Sequence, residues 1–259
     1  MKRLKTQPET PAAVSVVIVN YRGADDTCTA LAALHDLRWP QDKLEVIVVD
    51  NASGDGSVER IAKEHPGVRV MALEENLGFA AGCNAGAQAA TGEHLAFLNN
   101  DARPDPAWLS AAAAVLDRDG SIACVASKVL DWDGELVDFV DAGLGFYGHG
   151  FKLHAGERDD PAYDREADLL FASGAAMVTR ASTFREVGGF DERYFLLFED
   201  VDLGWRYWLL GYRVRYVPSS LVFHRHHRSV GALSRAEEDF LLERNALFTI
   251  FKNYDDANL

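Results

Sequence analysis

Cysteine is scarce in this sequence. The 3 residues, Cys28, Cys83 and Cys124, are odd in number, widely spaced and set among apolar or small neighbours. That argues against a disulfide framework or a cysteine metal site and for buried free thiols, as in a reducing compartment. Long apolar runs are missing too: no stretch approaches the roughly 18 residues of a membrane span. Met1 to Pro11 is polar, with Lys2, Arg3 and Lys5 and no apolar centre, unlike a secretory leader. It reads as a solvated, disordered lead-in over residues 1–12, whose cations could also touch an anionic surface. Cations are outnumbered, 26 Lys and Arg against 40 Asp and Glu, for a net charge of −14. A general nucleic-acid binder is thereby excluded. No internal repeat is evident.

What is there is ordinary for a globular protein, with 48% hydrophobic and 25% charged residues. A length of 259 suits one large domain. Val14–Asn20 and Leu44–Asp50 are short and β-branched, as buried strands are. Val68–Leu73 and the run from His94, ending in Asn99-Asn100-Asp101, make two more. Helices are predicted over Ala24–Leu37, Ser57 to about Glu64, Gly78–Ala90 and Pro106–Leu116. This alternation predicts an α/β fold with a mostly parallel central sheet and helices on both faces. After about residue 117 a smaller, mixed region follows. Ser121–Leu130 and Leu136–Tyr147 look like strands, punctuated by Gly143, Gly145 and Gly148. Residues 148–166 are polar and expected to be a mobile loop. Ala167–Thr179 holds a strand region broken at Ser173-Gly174. Glu199–Leu210 is a helix with Val201, Trp205, Trp208 and Leu209 on one stripe. Tyr212–Val217 is a strand ended by Pro218. Ser234 and Glu237 form a capping-box pattern that opens a last helix to about Lys252.

Five constellations could carry chemistry. Asp50 ends a buried strand and enters the turn Asn51-Ala52-Ser53-Gly54-Asp55-Gly56-Ser57. This turn carries neither a dinucleotide fingerprint nor a P-loop. It is either a structural turn or one that lets a carboxylate accept from a nucleotide N–H or hydroxyl. Gly78, Gly82 and Gly86 recur every four residues on one helix face, which suits close packing on the sheet. Alternatively, Asn76 and an open helix N-terminus approach an anion. Asp101 is ejected at the carboxyl end of a buried strand, where open α/β sheets place a ligand or metal group. Mg2+ or Mn2+ takes one or two carboxylates and completes its shell with phosphates and water. Glu199, Asp200 and Asp202 lie in a helix first turn, where the dipole favours acids. The aromatics Tyr194, Phe195 and Phe198 beside them could instead raise a carboxylate pKa to suit a general base. Asp202 and Arg206 are expected to pair on the helix surface. Last, Phe223-His224-Arg225-His226-His227-Arg228-Ser229 is a surface basic cluster or an imidazole ligand with cations for a diphosphate.

Together these stretches resemble the family 2 inverting glycosyltransferases of GT-A fold, and bacterial rhamnosyltransferase-like members in particular. The matching segments are Val14–Arg22, Glu45–Ser57, Glu75–Gly86, Leu98–Asp101, Ser173–Asp202 and His224–Ser229. The resemblance implies a nucleoside-diphosphate-sugar donor, with TDP-rhamnose, UDP- or GDP-sugars as candidates, and a divalent metal, Mg2+ or Mn2+. It implies a nucleotide-binding half over 13–117 and an acceptor-binding half over 118–259. Asn20, Tyr21, Asp50, Asn76 and Asn100 match nucleotide contacts. Asp101 matches the last acid of the family's DXD metal motif, and His224 a histidine that completes the metal site. Asp200, with Glu199, matches the catalytic base. Gly174, Asp191 and Trp205 fall on the acceptor side. The DXD position departs from the pattern, reading Asn99-Asn100-Asp101 with a single acid. The choice among His224, His226 and His227 stays open.

The expected reaction is transfer to a saccharide, lipid-linked saccharide or protein, in the cytoplasm, with peripheral membrane association allowed. Two other readings remain: a nucleotide-sugar nucleotidyltransferase, and a non-catalytic nucleotide- or carbohydrate-binding module. Many relatives carry a long C-terminal part that is missing here, which leaves open that the chain is a domain of something larger.

Overall fold

The computed structural model describes residues 11–225 and 234–255. Most of the lead-in, and His226, His227 and Arg228, lie outside the described residues. Strand β1 (Val14–Asn20) is flanked in parallel by β2 (Leu44–Asp50) and β4 (His94–Leu98), and β2 by β3 (Arg69–Ala72). Between them run α1 (Ala24–His35), α2 (Ser57–Glu64) and α3 (Gly78–Ala89). Val16, Val17 and Ile18 are all buried, as a strand covered on both faces requires. Helix α3 lies on the face of Val17, Val19 and Val49: a Cβ at Gly86 would meet Val17 Cγ1 at 2.4 Å, and one at Gly82 would meet Val19 at 3.0 Å. Close packing is thus the work of this glycine face.

After β4 the chain makes β5 (Ala102–Pro104), α4 (Trp108–Arg118), β6 (Ile122–Asp131), β7 (Val137–Phe139), β8 (Asp141–Leu144), β9 (Gly150–Leu153), β10 (Ala167–Leu169), β11 (Ala176–Arg180) and α5 (Ala181–Glu186). Then come α6 (Glu199–Leu209), β12 (Arg213–His224) and α7 (Arg235–Asn253). The main sheet has the order β10-β12-β6-β11-β4-β1-β2-β3. Strand β11 runs against both β4 and β6, and β12 runs with β6. It follows that β1, β2, β4, β6 and β12 all point one way. Asn20, Asp50, Asp101 and His224 therefore gather at one edge, the carboxyl edge where α/β sheets bind ligands.

Several sequence expectations are corrected. Asp101 does not end extended structure, because Ala102–Pro104 pairs with β12. Pro218 does not end β12; a register shift between Val217 and Leu221 absorbs it, as a bulge does for a residue without an N–H. Residues 148–166 are not an unstructured loop: β8 and β9 form an antiparallel hairpin. Gly148 (φ +84°) at its tip abuts α7, 2.3 Å from Ala246 O to an ideal Cβ. Gly143, Gly145 and Gly148 spell G-x-G-x-x-G, but on this hairpin and not on a strand-to-helix turn. On α6 the buried stripe is Val201, Leu203, Gly204 and Tyr207, while Leu209 is 60% exposed. Asp202 does pair with Arg206, but inside the protein. It is 0% exposed and also takes Lys252 and Asn253 of α7. Those extra partners satisfy a carboxylate that a single pair would leave costly to bury. The capping box at Ser234 and Glu237 opens α7 as the sequence predicts. Cys28, Cys83 and Cys124 are free and buried.

Candidate active site

Among the described residues, two cavities open at the carboxyl edge. One, of about 360 Å³, is bordered by Tyr21, Arg22, Gly23, Asp55, Arg60 and Asn100. The backbone is left-handed at Arg22 (φ 52°) and Ala52 (φ 61°), and non-glycine residues in such regions are held at about 1–3 kcal/mol each. Beneath this wall, Asp50 Oδ2 accepts from Asn20 Nδ2 (2.7 Å) and Ser53 Oγ (2.6 Å), and Oδ1 from Ser53 N (2.9 Å). Both oxygens of Asp50 are engaged in shaping the turn. Asn20 is likewise buried and accepts from Thr27. Of the residues matched to the nucleotide, Tyr21 and Asn100 border the cavity, whereas Asn20 and Asp50 support it from below. Asn76 is exposed, and its Oδ1 accepts from Asn51 Nδ2 (2.8 Å) and Gly78 N (3.0 Å). The start of α3 is not open to an anion: Phe195 O accepts from Phe79 N (2.7 Å) and Ala80 N (3.3 Å).

The second cavity, about 310 Å³, brings together Asp101, His224, Lys152, Gly174, Glu199 and Asp200. Strand β12 delivers His224, and the turn between β4 and β5 delivers Asp101. His224 Nε2 lies 3.0 Å from Asp101 Oδ1 and 3.3 Å from Asn99 Nδ2. Its Nδ1 lies 2.7 Å from Asp138 Oδ2, and Asp138 in turn receives Lys152 Nζ at 2.6 Å. Burial opposes the imidazolium, but hydrogen bonds to Asp101 and Asp138 outweigh it and push His224 up to about 9. Just past His224, Arg225 donates its N–H to Asp101 O, pairs with Asp26 at 2.6 Å and stacks on Trp132 at 4.0 Å.

A divalent ion fits this pair. An octahedral ion with ligands at about 2.1 Å holds neighbouring donor atoms about 3 Å apart; the oxygen of Asp101 and nitrogen of His224 are 3.0 Å apart in a direct hydrogen bond, which a bound ion would replace. The Asp138 contact fixes the ring, as carboxylates do behind metal-bound histidines. Among the described residues a second group, Cys28, Glu64 and His65, keeps its donor atoms within 4.8 Å of one another. There Arg60 already sits 2.9 Å from Glu64 and supplies the positive charge.

Asp200 is partly buried in the first turn of α6. Its Oδ2 accepts from Gly174 N at 2.7 Å and its Oδ1 from Val201 N at 2.8 Å. Burial raises its pKa, while the Gly174 amide and the Lys152 cation pull the other way. Glu199 is held well above the usual carboxylate range, first by burial and then by Asp200. Its Oε2 has no hydrogen-bond partner among the described residues. The loop before α6 is left-handed at Phe195 (φ 65°), Leu197 (φ 72°) and Phe198 (φ 67°). Strained backbone beside a cleft is a mark of a functional site.

Asp191 and Trp205 are not in this cleft. Asp191 pairs with Arg193 and Lys252, and Trp205 packs edge-on against Tyr254. Asp138 and Lys152 are in or behind it and escaped the sequence reading. The signal for Asp138 was a lone acid inside the apolar run Leu136–Val140; Lys152 fell in the segment taken for a loop.

The family model described as glycosyl transferase family 2 matches residues 15–184. Pre-mycofactocin glycosyltransferase of Mycobacterium tuberculosis is 33% identical over 184 residues, which cover 71% of this chain and 38% of that protein. The chain thus spans well under two thirds of that relative. N-acetylglucosaminyl-diphospho-decaprenol L-rhamnosyltransferase of the same organism is 28% identical over 210 residues, covering 73% of this chain and 68% of that protein. Among solved structures, GalNAc-T7 with UDP, GalNAc and Mn2+ aligns with a TM-score of 0.69 at 18% identity, over 83% of this chain and 43% of that one. Mannosyltransferase PcManGT from Pyrobaculum calidifontis, with GDP-Man and Mn2+, aligns with a TM-score of 0.62 at 18% identity, over 99% of this chain and 81% of that one. At such identities the likeness speaks for the fold, which is that of GT-A glycosyltransferases. With a family model matching more than half of its length, the chain belongs to glycosyl transferase family 2.

Proposed function

We propose that the chain is an inverting glycosyltransferase that moves a sugar from a nucleoside-diphosphate sugar to a hydroxyl of an acceptor. The observation that carries this is the convergence of Asp200 with the Asp101–His224 pair in one cleft, beside a second cavity bordered by Tyr21 and Asn100. Asp200 takes the acceptor proton, its raised pKa matching it to that task. The acceptor oxygen then attacks the anomeric carbon as the bond to the nucleoside diphosphate breaks on the opposite side. Lys152, in the wall of the cleft, sets positive charge where the leaving diphosphate gathers negative charge. When bound by Asp101 and His224, a divalent ion supplies further charge for the same purpose. Burial of Glu199 beside Asp200 keeps one of the two carboxyls neutral, because like charges in one site cannot both ionise easily.

The likeness to a rhamnosyltransferase favours TDP-rhamnose as donor, with UDP- and GDP-sugars next. The name of that relative favours a lipid-linked saccharide as acceptor, ahead of a free saccharide or protein. Such an acceptor would be met in the cytoplasm, at the inner membrane face. Among the described residues no helix is long and apolar enough to cross a membrane.

The test is a panel of TDP-, UDP- and GDP-sugars with Mn2+ and saccharide or lipid-linked acceptors. Release of nucleoside diphosphate and a product of opposite anomeric configuration by NMR is expected. Pyrophosphate release would point to nucleotidyl transfer, and retained configuration would overturn the inverting step.

A further inference from the structure

Helix α7 begins 51 residues after the end of the family match at 184 (235 − 184), yet it reaches the cleft. Asn245 at its middle is 0% exposed. Its Nδ2, sharing two hydrogens, lies within hydrogen-bond distance of three backbone carbonyls of one short segment: Tyr194 O at 3.1 Å, Leu196 O at 2.8 Å and Leu197 O at 2.6 Å. The orientation of this amide is fixed by its neighbour, because Asn245 Oδ1 accepts from Arg244 Nε (2.9 Å) and Nη2 (2.8 Å). Arg244 itself also donates to Tyr194 O at 2.8 Å. The remaining carbonyl of the segment, Phe195 O, is taken by the start of α3.

The segment held in this way is the left-handed loop Phe195–Phe198, which leads directly into Glu199 and Asp200. Leu196, Leu197 and Phe198 line the cleft on the side of Asp200. Three non-glycine residues do not keep positive φ without something that over-determines it. Carbonyls turned towards α7 and matched there by buried donors do so.

We infer that Asn245 is a positioning residue for the reaction: by binding the carbonyls of 194, 196 and 197 it holds the strained loop that forms the acceptor side of the cleft and sets the entry angle of Asp200. The inference rests on the proposed role of Asp200 and on that loop as acceptor wall. It assigns α7 to the working site and leaves the nucleotide cavity, built from β1, α1 and α2, independent of it.

The test compares the full chain with Asn245→Ala and the isosteric Asn245→Asp, which keeps the volume but replaces the donor with an acceptor. Leu241→Ala, elsewhere on α7, is the control for general loosening of the helix. Three readouts are taken: hydrogen exchange over 194–200, UDP and TDP binding with Mn2+, and transfer kinetics with whichever donor and acceptor the panel identifies. Expected for both Asn245 variants are exchange at 194–200 raised at least tenfold, nucleotide binding within twofold of wild type, and a tenfold or greater fall in kcat with a raised acceptor KM. Leu241→Ala should lower the melting temperature without this pattern. Unchanged exchange at 194–200 in Asn245→Asp, or wild-type kcat and acceptor KM, overturns the inference. If wild type transfers no sugar at all, the proposed function fails, while the exchange arm still decides whether Asn245 holds the loop.

Discussion

His224 Nδ1 lies 2.7 Å from Asp138 Oδ2, and this contact decides which ring nitrogen faces the cleft. With Nδ1 committed, Nε2 is left beside Asp101. Asp138 is 2% exposed and belongs to a short strand that no metal motif would flag.

Asp138→Asn should therefore weaken Mn2+ binding by about 10–100-fold, the usual effect of removing a carboxylate behind a metal-bound histidine. Calorimetric titration of Mn2+ into the UDP-saturated protein measures it. Unchanged affinity would remove Asp138 from this role.

Stability of the metal-free protein should depend on pH through the same histidine. Folding raises its pKa from 6.5 to about 9, so the folded state binds the proton more tightly than the unfolded chain. The resulting stabilisation is complete below pH 6.5 and is lost as pH rises through about 9. Urea unfolding in the presence of a chelator at pH 6, 7.5 and 9.5 should show this decline in wild type, and a flatter profile in His224→Asn. Equal slopes in the two would contradict the pairing. Since a metal must displace the same proton, Mn2+ affinity should rise over this window.

Lys152→Met should move the acid limb of the rate profile to higher pH. The Lys152 cation favours the Asp200 carboxylate, against the larger effect of burial. Without it the proton leaves Asp200 less readily. A pH profile of kcat/KM reads the shift directly, and a limb that moves to lower pH would show the sign to be wrong.

Gly86→Ala should destabilise the fold by about 1–3 kcal/mol, as overpacking of a filled core does. Its Cβ would lie 2.4 Å from Val17 Cγ1 and 3.2 Å from Val49 Cγ2, and both are stiff β-branched side chains. Urea melts compare it with Gly67→Ala, where nothing stands within 4 Å of the new Cβ.

The first 117 or so residues were legible because each strand there is a short β-branched run followed by a helix, and local pattern decides such units. Asp101, His224, Gly174 and Asp200 were legible as residues through the family likeness, and the sheet directions bring them to one edge. What stayed hidden depends on contacts across long stretches of chain. Asp138 meets His224 across 86 residues, and Asn245 meets the loop before α6 across 48 to 51. The surface assigned to Asp202 failed for the same reason, since α7 returns Lys252 and Asn253 to cover it. The strain at Phe195, Leu197 and Phe198 has no signature in residue type, because none is a glycine or an asparagine.

The central claim is that Asp200 takes the acceptor proton, and Asp200→Asn tests it most directly. This variant keeps the size and can keep an oxygen towards Gly174 N, but it cannot act as the base. The expected result is wild-type affinity for UDP or TDP with Mn2+ and a fall in transfer of about 10²–10⁴-fold, the usual worth of a general base. Transfer at the wild-type rate by the Asp200→Asn protein, with donor and acceptor bound, would contradict the account.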